Sequence, residues 1–311
     1  MGFENSGNRI LPPTGSTQET ETALRKLQLC ELEILDEFVR ICEKRRLRYY
    51  IAGGTLLGAV RHGGFIPWDD DIDVEMPRRD YELFAKYCAE DLSEDYFYQT
   101  PDTDPHYFLT YAKLRKNNTF FYEQRFKDSK FRKGIFIDIF PLDYAMKPCA
   151  AERFLFDLMA VGNRRGQVDS GEKYVPYKKI RGRLCYALYK LFSPKGAVRL
   201  RKTLTGISAR LSRKKYYASY SGAYGYSGEI FCADWYSPTE RIEFEGRSCN
   251  APSNADMVLT TLYGKDYMKI PPESERRIHC DLNRVRFDTA DDKNEWETLL
   301  NDAESKDQKK N

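Results

Sequence analysis

The sequence predicts an α+β fold, in which helices flank a mixed β-sheet core and a helical insert is basic in composition. Residues 24–42 carry apolar side chains at helical spacing. Residues 49–60 read as a strand, two glycines and a helix, and in 69–74 aspartates alternate with apolar residues, as in a half-buried strand. Residues 173–215 concentrate lysine and arginine. Together these observations predict a sheet covered by helices, followed by a separate basic segment.

Length and composition indicate a globular protein. The 311 residues allow one large or two small domains, and the charged fraction of 31% is ordinary for such a protein. No apolar run approaches the ~20 residues of a membrane span, and the N-terminus lacks a signal-peptide pattern. The eight cysteines form no C-x-x-C pair, which predicts neither a zinc module nor a disulfide framework. We therefore expect a cytoplasmic protein.

The net charge of +3 conceals a strong asymmetry. Residues 173–215 contain fourteen Lys or Arg and no Asp or Glu, and the other 36 basic and 47 acidic residues give the remainder a net charge of −11. Such a block indicates an anionic partner, and an anionic membrane surface is one interpretation. The alternative is two ordinary helices that pack on the body by apolar stripes, one of them made of Leu184, Ala187, Leu188 and Leu191.

The predicted elements follow from local patterns. Residues 1–18 are polar and are expected to form a mobile tail, and 20–47 form the first helix. The other predictions, in chain order, are a helix over 78–92, strands at 96–98, 107–114, 119–122 and within 134–143, a helix over 150–166, a basic helix over 196–215, an irregular stretch over 216–236, a strand over 242–246 and a charged, disordered tail after 288.

Four aspartates, Asp69, Asp70, Asp71 and Asp73, occupy five positions. On a strand, Asp71 and Asp73 share one face, and like charges so close require a cation between them. A hard divalent cation with oxygen ligands meets that requirement. The alternative is a solvated acidic turn.

Gly53-Gly54 and Asp138 supply two further candidate groups. Glycines that precede a helix let backbone N–H groups approach a phosphate. Asp138 stands in the apolar run 135–142, so its carboxylate must be paired, metal-bound or protonated. Asp143 suits the N-cap of a following helix.

The block GGTLLG…RHGGFIPWDDDID, within residues 49–76, resembles the signature of the LicD and fukutin-related phosphotransferases. The resemblance extends from about residue 27 to 279 and includes the Leu-Tyr-Gly at 262–264, the Pro-Pro at 271–272 and the Arg-x-x-His at 276–279. It implies a nucleotidyltransferase-like (polymerase-β-like) fold. The expected division is a tail (1–18), a catalytic core (19–148), a helical basic insert (149–238), a C-terminal part of the catalytic domain (239–288) and a disordered tail (289–311).

The same resemblance implies a metal-dependent transfer of a phosphocholine-like group. The donor would be a CDP-linked small alcohol, and the acceptor a hydroxyl of a lipopolysaccharide or teichoic-acid precursor, with the enzyme in the cytoplasm or peripheral on the inner membrane face. Mg²⁺ or Mn²⁺ would be held by Asp71, Asp73 and Asp138, which are also the catalytic residues. The implied substrate-binding residues are Gly53, Gly54, Thr55, Arg61, His62, Asp69, Asp70, Lys113 and Arg115.

Two other functions remain open from the sequence. A true nucleotidyltransferase would keep the nucleotide on the acceptor and release pyrophosphate. A catalytically inactive relative would act as a basic membrane-associated or nucleic-acid-binding protein, although the retained Asp71, Asp73 and Asp138 favour an enzyme and no nucleic-acid partner is expected.

Overall fold

The computed structural model describes residues 17–288 except 179, 277 and 279, and for 17–20 and 181 it describes the backbone alone. The helices are α1 (Thr17–Arg45), α2 (Gly53–His62), α3 (Arg78–Asp91), α4 (Ala150–Asp169), α5 (Ile180–Tyr189), α6 (Pro194–Leu211) and α7 (Ala255–Tyr263). The strands are β1 (Tyr50–Ile51), β2 (Asp73–Pro77), β3 (Tyr96–Gln99), β4 (Ala112–Lys116), β5 (Phe136–Ala145), β6 (Tyr216–Ala218), β7 (Ile230–Cys232), β8 (Glu240–Phe244) and β9 (Arg247–Ala251).

The sheet is mixed and its strand order is β1-β2-β5-β4-β3, with β6 paired to β5 and β7 paired to β6. Strands β2 and β5 run parallel, whereas β1, β4 and β6 run antiparallel to their neighbours. Helix α1 contacts β4, β5 and α3, and α2 contacts β2, α7 and the hairpin β8–β9. The predicted α+β class, a mixed sheet flanked by helices, is therefore confirmed.

Buried apolar side chains of α1 fill the space between that helix and the sheet. Leu27, Ile34, Leu35, Phe38 and Ile41 are completely buried in one core together with strand residues. Leu27, Ile34 and Ile41 are seven residues apart, and Leu35 and Phe38 fall between Ile34 and Ile41 at helical spacing, so all five lie on one side of α1. Burial of this face holds the helix across the strands that carry the aspartates.

Several predicted elements need correction. Of the predicted strand 107–114 only the end, in β4, is extended and paired, because residues 107–111 turn inward and pack with Phe126 and Phe131 in a second cluster. The predicted strand at 119–122 is a single bridge between Phe120 and Arg286. The stretch 216–236, predicted to be irregular, contributes β6 and β7 to the sheet.

Asp143 does not cap a helix, because it lies within β5 and accepts two hydrogen bonds from Arg78, both of 2.7 Å. The N-cap of α4 is Cys149 instead. Most of the predicted tail 1–18, all of the tail after 288, Lys179 and His279 lie outside the described residues. Among the helices that are described, none has the length and apolar composition needed to cross a membrane.

The chain from α4 to α6 packs as a helical layer. Helix α4 contacts α5 and α6, and α6 also contacts β5. Among the side chains of α5 that the structure describes, Tyr186 and Tyr189 are the buried ones. The apolar stripe of Leu184, Ala187, Leu188 and Leu191 is exposed and does not pack on the body. The interpretation in which this stripe holds the helix in place is therefore wrong.

Candidate active site

A row of three charged side chains crosses the middle of the sheet. Asp73 on β2 pairs in register with Asp138 on β5, and Asp138 pairs in register with Lys113 on β4. Residues directly opposite each other on neighbouring strands project to the same face of a sheet. The structure thus brings together two of the predicted catalytic residues and one predicted substrate-binding residue.

Lys113 and Asp138 form a buried ion pair. The ammonium Nζ of Lys113 lies 2.6 Å from Oδ1 of Asp138, and the Lys113 side chain is completely buried. Burial raises the pKa of Asp138, and the charge and hydrogen bond of Lys113 oppose that rise. Burial lowers the pKa of Lys113, and Asp138 opposes that fall. The buried carboxylate of Asp138, for which the sequence predicted a compensating partner, is therefore paired with a lysine. This pairing fixes the orientation of the carboxylate.

The glycines at the start of α2 make room for two carboxylates. A Cβ at Gly53 would stand 2.7 Å from Oδ2 of Asp73, and a Cβ at Gly54 would stand 2.7 Å from Oδ2 of Asp69. Gly53 also has a φ of +51°, which favours glycine. Any larger residue would push these aspartates away, so the glycines hold Asp69 and Asp73 against the N-terminus of α2.

Thr55 fixes the start of β2. Its Oγ1 accepts a hydrogen bond of 2.8 Å from the Asp73 backbone N–H, and Ala52 N–H donates to the Asp73 carbonyl at 3.0 Å. These two bonds tie the glycine turn to the strand that carries Asp73. Thr55, predicted to bind substrate, therefore also has a positioning role.

The remaining aspartates of the cluster differ in exposure. Asp71 lies just before β2 and is half-buried, as is Asp69. Asp70 is completely buried, and its Oδ2 accepts a hydrogen bond of 2.7 Å from the Cys280 backbone N–H. Asp70 thereby joins the aspartate segment to the C-terminal part of the chain.

Arg61 and His62 lie at the far end of α2, eight and nine residues after Gly53, or about 12–13 Å along the helix axis. Arg61 donates to His62 Nε2 at 2.9 Å and to the Tyr267 carbonyl at 3.0 Å. His62 is exposed. The structure therefore uses Arg61 to hold the 267–269 segment and does not bring His62 into the row of charges.

Arg115 is buried and its guanidinium is largely engaged. It donates to Gln99 Oε1 at 2.6 Å and to the Gly134 carbonyl at 2.5 Å, and its Nη2 has no hydrogen-bond partner within the described chain. The guanidinium also lies 4.8 Å from the ring of Phe136. Arg115 thus braces β3, β4 and the start of β5 beside the site.

Glu31 on α1 was missed by the sequence reasoning. It is 1% exposed, and neither carboxylate oxygen has a hydrogen-bond partner in the described part of the protein. Gln28, one turn earlier on α1, donates to the Asp69 carbonyl at 3.0 Å, which places this face of the helix against the aspartate segment. Burial raises the pKa of Glu31 well above its usual range, and among the neighbouring charges Asp71 contributes most to a further rise. Glu31 therefore adds a carboxylate to the site.

Two other pairs border the site. Glu123 and Arg125 form an ion pair of 2.7 Å, and the charges of Arg125 and Lys113 outweigh burial and lower the pKa of Glu123 to about 2. Tyr224 and Tyr263 stand edge to face with ring centroids 5.2 Å apart. Burial raises the pKa of both, and Asp73 contributes to each rise. The tyrosine pair thus lies within electrostatic range of the aspartates.

The donor atoms fit a divalent cation that a substrate helps to hold. No cluster of three His, Cys, Asp or Glu side chains among the described residues is arranged to enclose a metal ion. Mg²⁺ is commonly bound by one or two carboxylates with water and substrate phosphates completing the shell. The all-oxygen donors, the two unpartnered Glu31 oxygens and the glycine turn beside Asp73 suit that mode.

Comparisons with known proteins add independent information. The family model described as LicD/FKTN/FKRP, nucleotidyltransferase domain, matches residues 46–157, which include β2, β4 and β5. The lipopolysaccharide cholinephosphotransferase LicD of Haemophilus influenzae is 31% identical over 269 residues, which cover 82% of this chain and 95% of that protein. The ribitol 5-phosphate transferase FKRP of Homo sapiens is 47% identical over 49 residues, which cover 14% of this chain and 10% of that protein.

Proposed function

This chain belongs to the LicD family of phosphotransferases, and on that premise we propose that it moves a phosphocholine-like group from a CDP-linked donor to a hydroxyl of a cell-surface glycan precursor. The observation that carries the proposal is the row Lys113–Asp138–Asp73 beside the glycine turn of α2. It combines a base, a cation site and an anion site within one face of the sheet. The finer fold class that this arrangement supports is polymerase-β-like.

The donor diphosphate is bound at the start of α2. Backbone N–H groups at a helix N-terminus and the helix dipole favour an anion. Asp69 and Asp73 stand against Gly53 and Gly54 at this point, so the diphosphate and these carboxylates approach each other closely. Their mutual repulsion requires a cation between them.

Asp71 and Asp73 would hold that cation, with the carboxyl group of Glu31 on α1 as a further oxygen donor. When bound there, Mg²⁺ or Mn²⁺ supplies charge neutralisation at the diphosphate oxygens. Thr55 holds the Asp73 backbone in place, and the glycines hold its carboxylate.

Asp138 accepts the proton of the attacking hydroxyl. Lys113 is bonded to Oδ1, so the other oxygen of Asp138 is the one that receives the proton. The acceptor oxygen forms a bond to the β-phosphorus, the bond from that phosphorus to the bridging oxygen breaks, and CMP leaves with the bridging oxygen. Lys113 acts by orienting Asp138, which differs from the predicted direct contact with phosphate.

Analysis of the products tests this reaction against nucleotidyl transfer. Purified protein is incubated with Mg²⁺, CDP-choline labelled in the choline and a lipopolysaccharide-derived glycan, and a parallel reaction contains CTP. We expect one CMP released for each label that reaches the glycan. Pyrophosphate release from CTP with the nucleotide attached to the glycan would contradict phosphotransfer, and absence of CDP-choline binding in calorimetry with Mg²⁺ would indicate an inactive relative.

A further inference from the structure

Helix α5 presents an apolar face to solvent. Ile180, Leu184, Leu188 and Leu191 are 68%, 60%, 57% and 79% exposed, and they follow each other at spacings of four, four and three residues. Ile180, Leu184 and Leu188 share one side of α5, and Leu191 lies two residues after its end, where its backbone N–H donates to the Leu188 carbonyl at 3.1 Å. Isolated exposed apolar residues are ordinary, but these four together form a continuous apolar surface.

The opposite side of α5 is already occupied. Tyr186 and Tyr189 are buried, and the Tyr189 ring lies close to Gly162 of α4, where a Cβ would stand 2.7 Å from the ring. Tyr174 stacks on Tyr186 with ring centroids 4.6 Å apart. The tyrosine side therefore attaches α5 to the protein, and the leucine side is left for a partner.

Exposed positive charges lie in the same segment of the chain as this apolar face. Arg183, Lys190, Lys195 and Arg199 are exposed, and residues 173–215 contain no acidic residue. The charges do not all contribute, because Arg201 is buried and donates to the Tyr220 carbonyl at 2.7 Å. An exposed aliphatic helix face in a segment that also exposes several cations matches an anionic bilayer, whose acyl region takes the leucines and whose phosphate headgroups take the lysines and arginines.

We propose that α5 and the start of α6 attach the protein to the surface of an anionic lipid membrane. The leucine face enters the boundary between headgroups and acyl chains, and the cations bind lipid phosphates. The charge contribution decays over about 8–10 Å at physiological salt, so it acts on residues close to the surface. Attachment is reversible because one short helix face and a few cations supply it.

Co-sedimentation with vesicles tests the proposal on the full-length protein. Vesicles of phosphatidylglycerol mixed with phosphatidylcholine are compared with vesicles of phosphatidylcholine alone. We expect binding to the anionic vesicles, release by added salt, and affinity that falls about tenfold or more when Leu184, Leu188 and Leu191 are replaced together by Ser. Replacement of Lys190, Lys195 and Arg199 by Gln should weaken binding to a similar extent and flatten the salt dependence.

A matched control variant tests whether vesicle binding depends on this surface or on any exposed apolar side chain. Met268 and Ile270 are 50% and 55% exposed on another segment, and replacing both by Ser should leave vesicle binding unchanged. Equal binding of wild type to neutral and anionic vesicles, or no binding to either, would overturn the proposal. The proposal would also be overturned if wild type is a dimer that does not bind vesicles and the leucine variant is a monomer. That result would show that the apolar face binds a second copy of the chain. CMP release from CDP-choline should persist in all these variants. The vesicle experiment therefore tests membrane attachment independently of the proposed catalytic function.

Discussion

Glu31 is expected to lower the stability of the protein when no cation is bound. Within the described chain its two carboxyl oxygens are buried without hydrogen-bond partners, and each unsatisfied polar atom costs about 1–3 kcal/mol. Leu has a similar volume and carries no polar atom, so the substitution removes this cost. We therefore expect metal-free Glu31→Leu to unfold with a free energy about 2–4 kcal/mol above wild type, which is a rise in Tm of about 5–10 °C for a chain of this size.

Thermal unfolding with and without Mg²⁺ measures both consequences. Wild type should gain stability as Mg²⁺ is added, because a ligand that binds only the folded state raises its stability, and Glu31→Leu should gain much less. Glu33→Leu is the control, since Glu33 is exposed on the same helix. Lower metal-free stability of Glu31→Leu together with an undiminished response to Mg²⁺ would refute the reasoning and make Glu31 a structural residue.

Three further outcomes follow from the same geometry. Asp138→Asn should abolish turnover and destabilise by about 3–5 kcal/mol, because it leaves the buried Lys113 charge unpaired, and adding Lys113→Met should restore stability in urea unfolding without restoring turnover. Glu123→Gln should cost about 3 kcal/mol of folding stability at pH 7, because the pKa of this carboxylate falls to about 2 on folding. Its contribution is present above pH ~4.5 and is lost as the pH falls towards 2. A difference in unfolding free energy between wild type and variant that stays constant down to about pH 3 would contradict this. Tyr224→Ala should raise KM about tenfold for a choline-bearing donor through loss of a cation–π contact, but should change KM little for a donor that carries a neutral polyol, and equal losses for both donors would exclude this role.

Local patterns predicted the part of the site that one segment encodes. Residues 49–76 contain the turn, the helix start and the strand with Asp73 in a continuous run. Their arrangement therefore follows from the spacing of apolar residues and from the backbone conformations that glycine allows. The burial of Asp138 was also predicted, since its neighbours in β5 are apolar on both sides. The local spacing of apolar and polar residues was sufficient to predict these features, because each depends on a few consecutive residues.

Contacts between distant segments were not predictable in the same way. The pairing of Lys113 with Asp138 requires the register of β4 against β5, 25 residues apart. No sequence pattern singled out Glu31, which is buried because the aspartate segment packs against α1. Strands β6 and β7 are only three residues long each, and they form because β6 pairs with β5 and β7 pairs with β6. The exposure of Leu184 and Leu188 was hidden because tyrosines on the other face of α5 make the packing contact.

The most direct test of the proposed site is the turnover of Asp73→Asn in the presence of Mg²⁺. The variant keeps the shape of the side chain beside Gly53 and removes one charge, so the fold should persist while the cation loses a ligand. Asp102, exposed and remote in sequence from the cluster, provides the matched Asn control. We expect CMP release from CDP-choline to fall by at least about a thousandfold in Asp73→Asn, with an unchanged circular dichroism spectrum, and to remain at the wild-type rate in Asp102→Asn. Wild-type CMP release by Asp73→Asn would contradict the assignment of the β2–β5 junction as the catalytic centre.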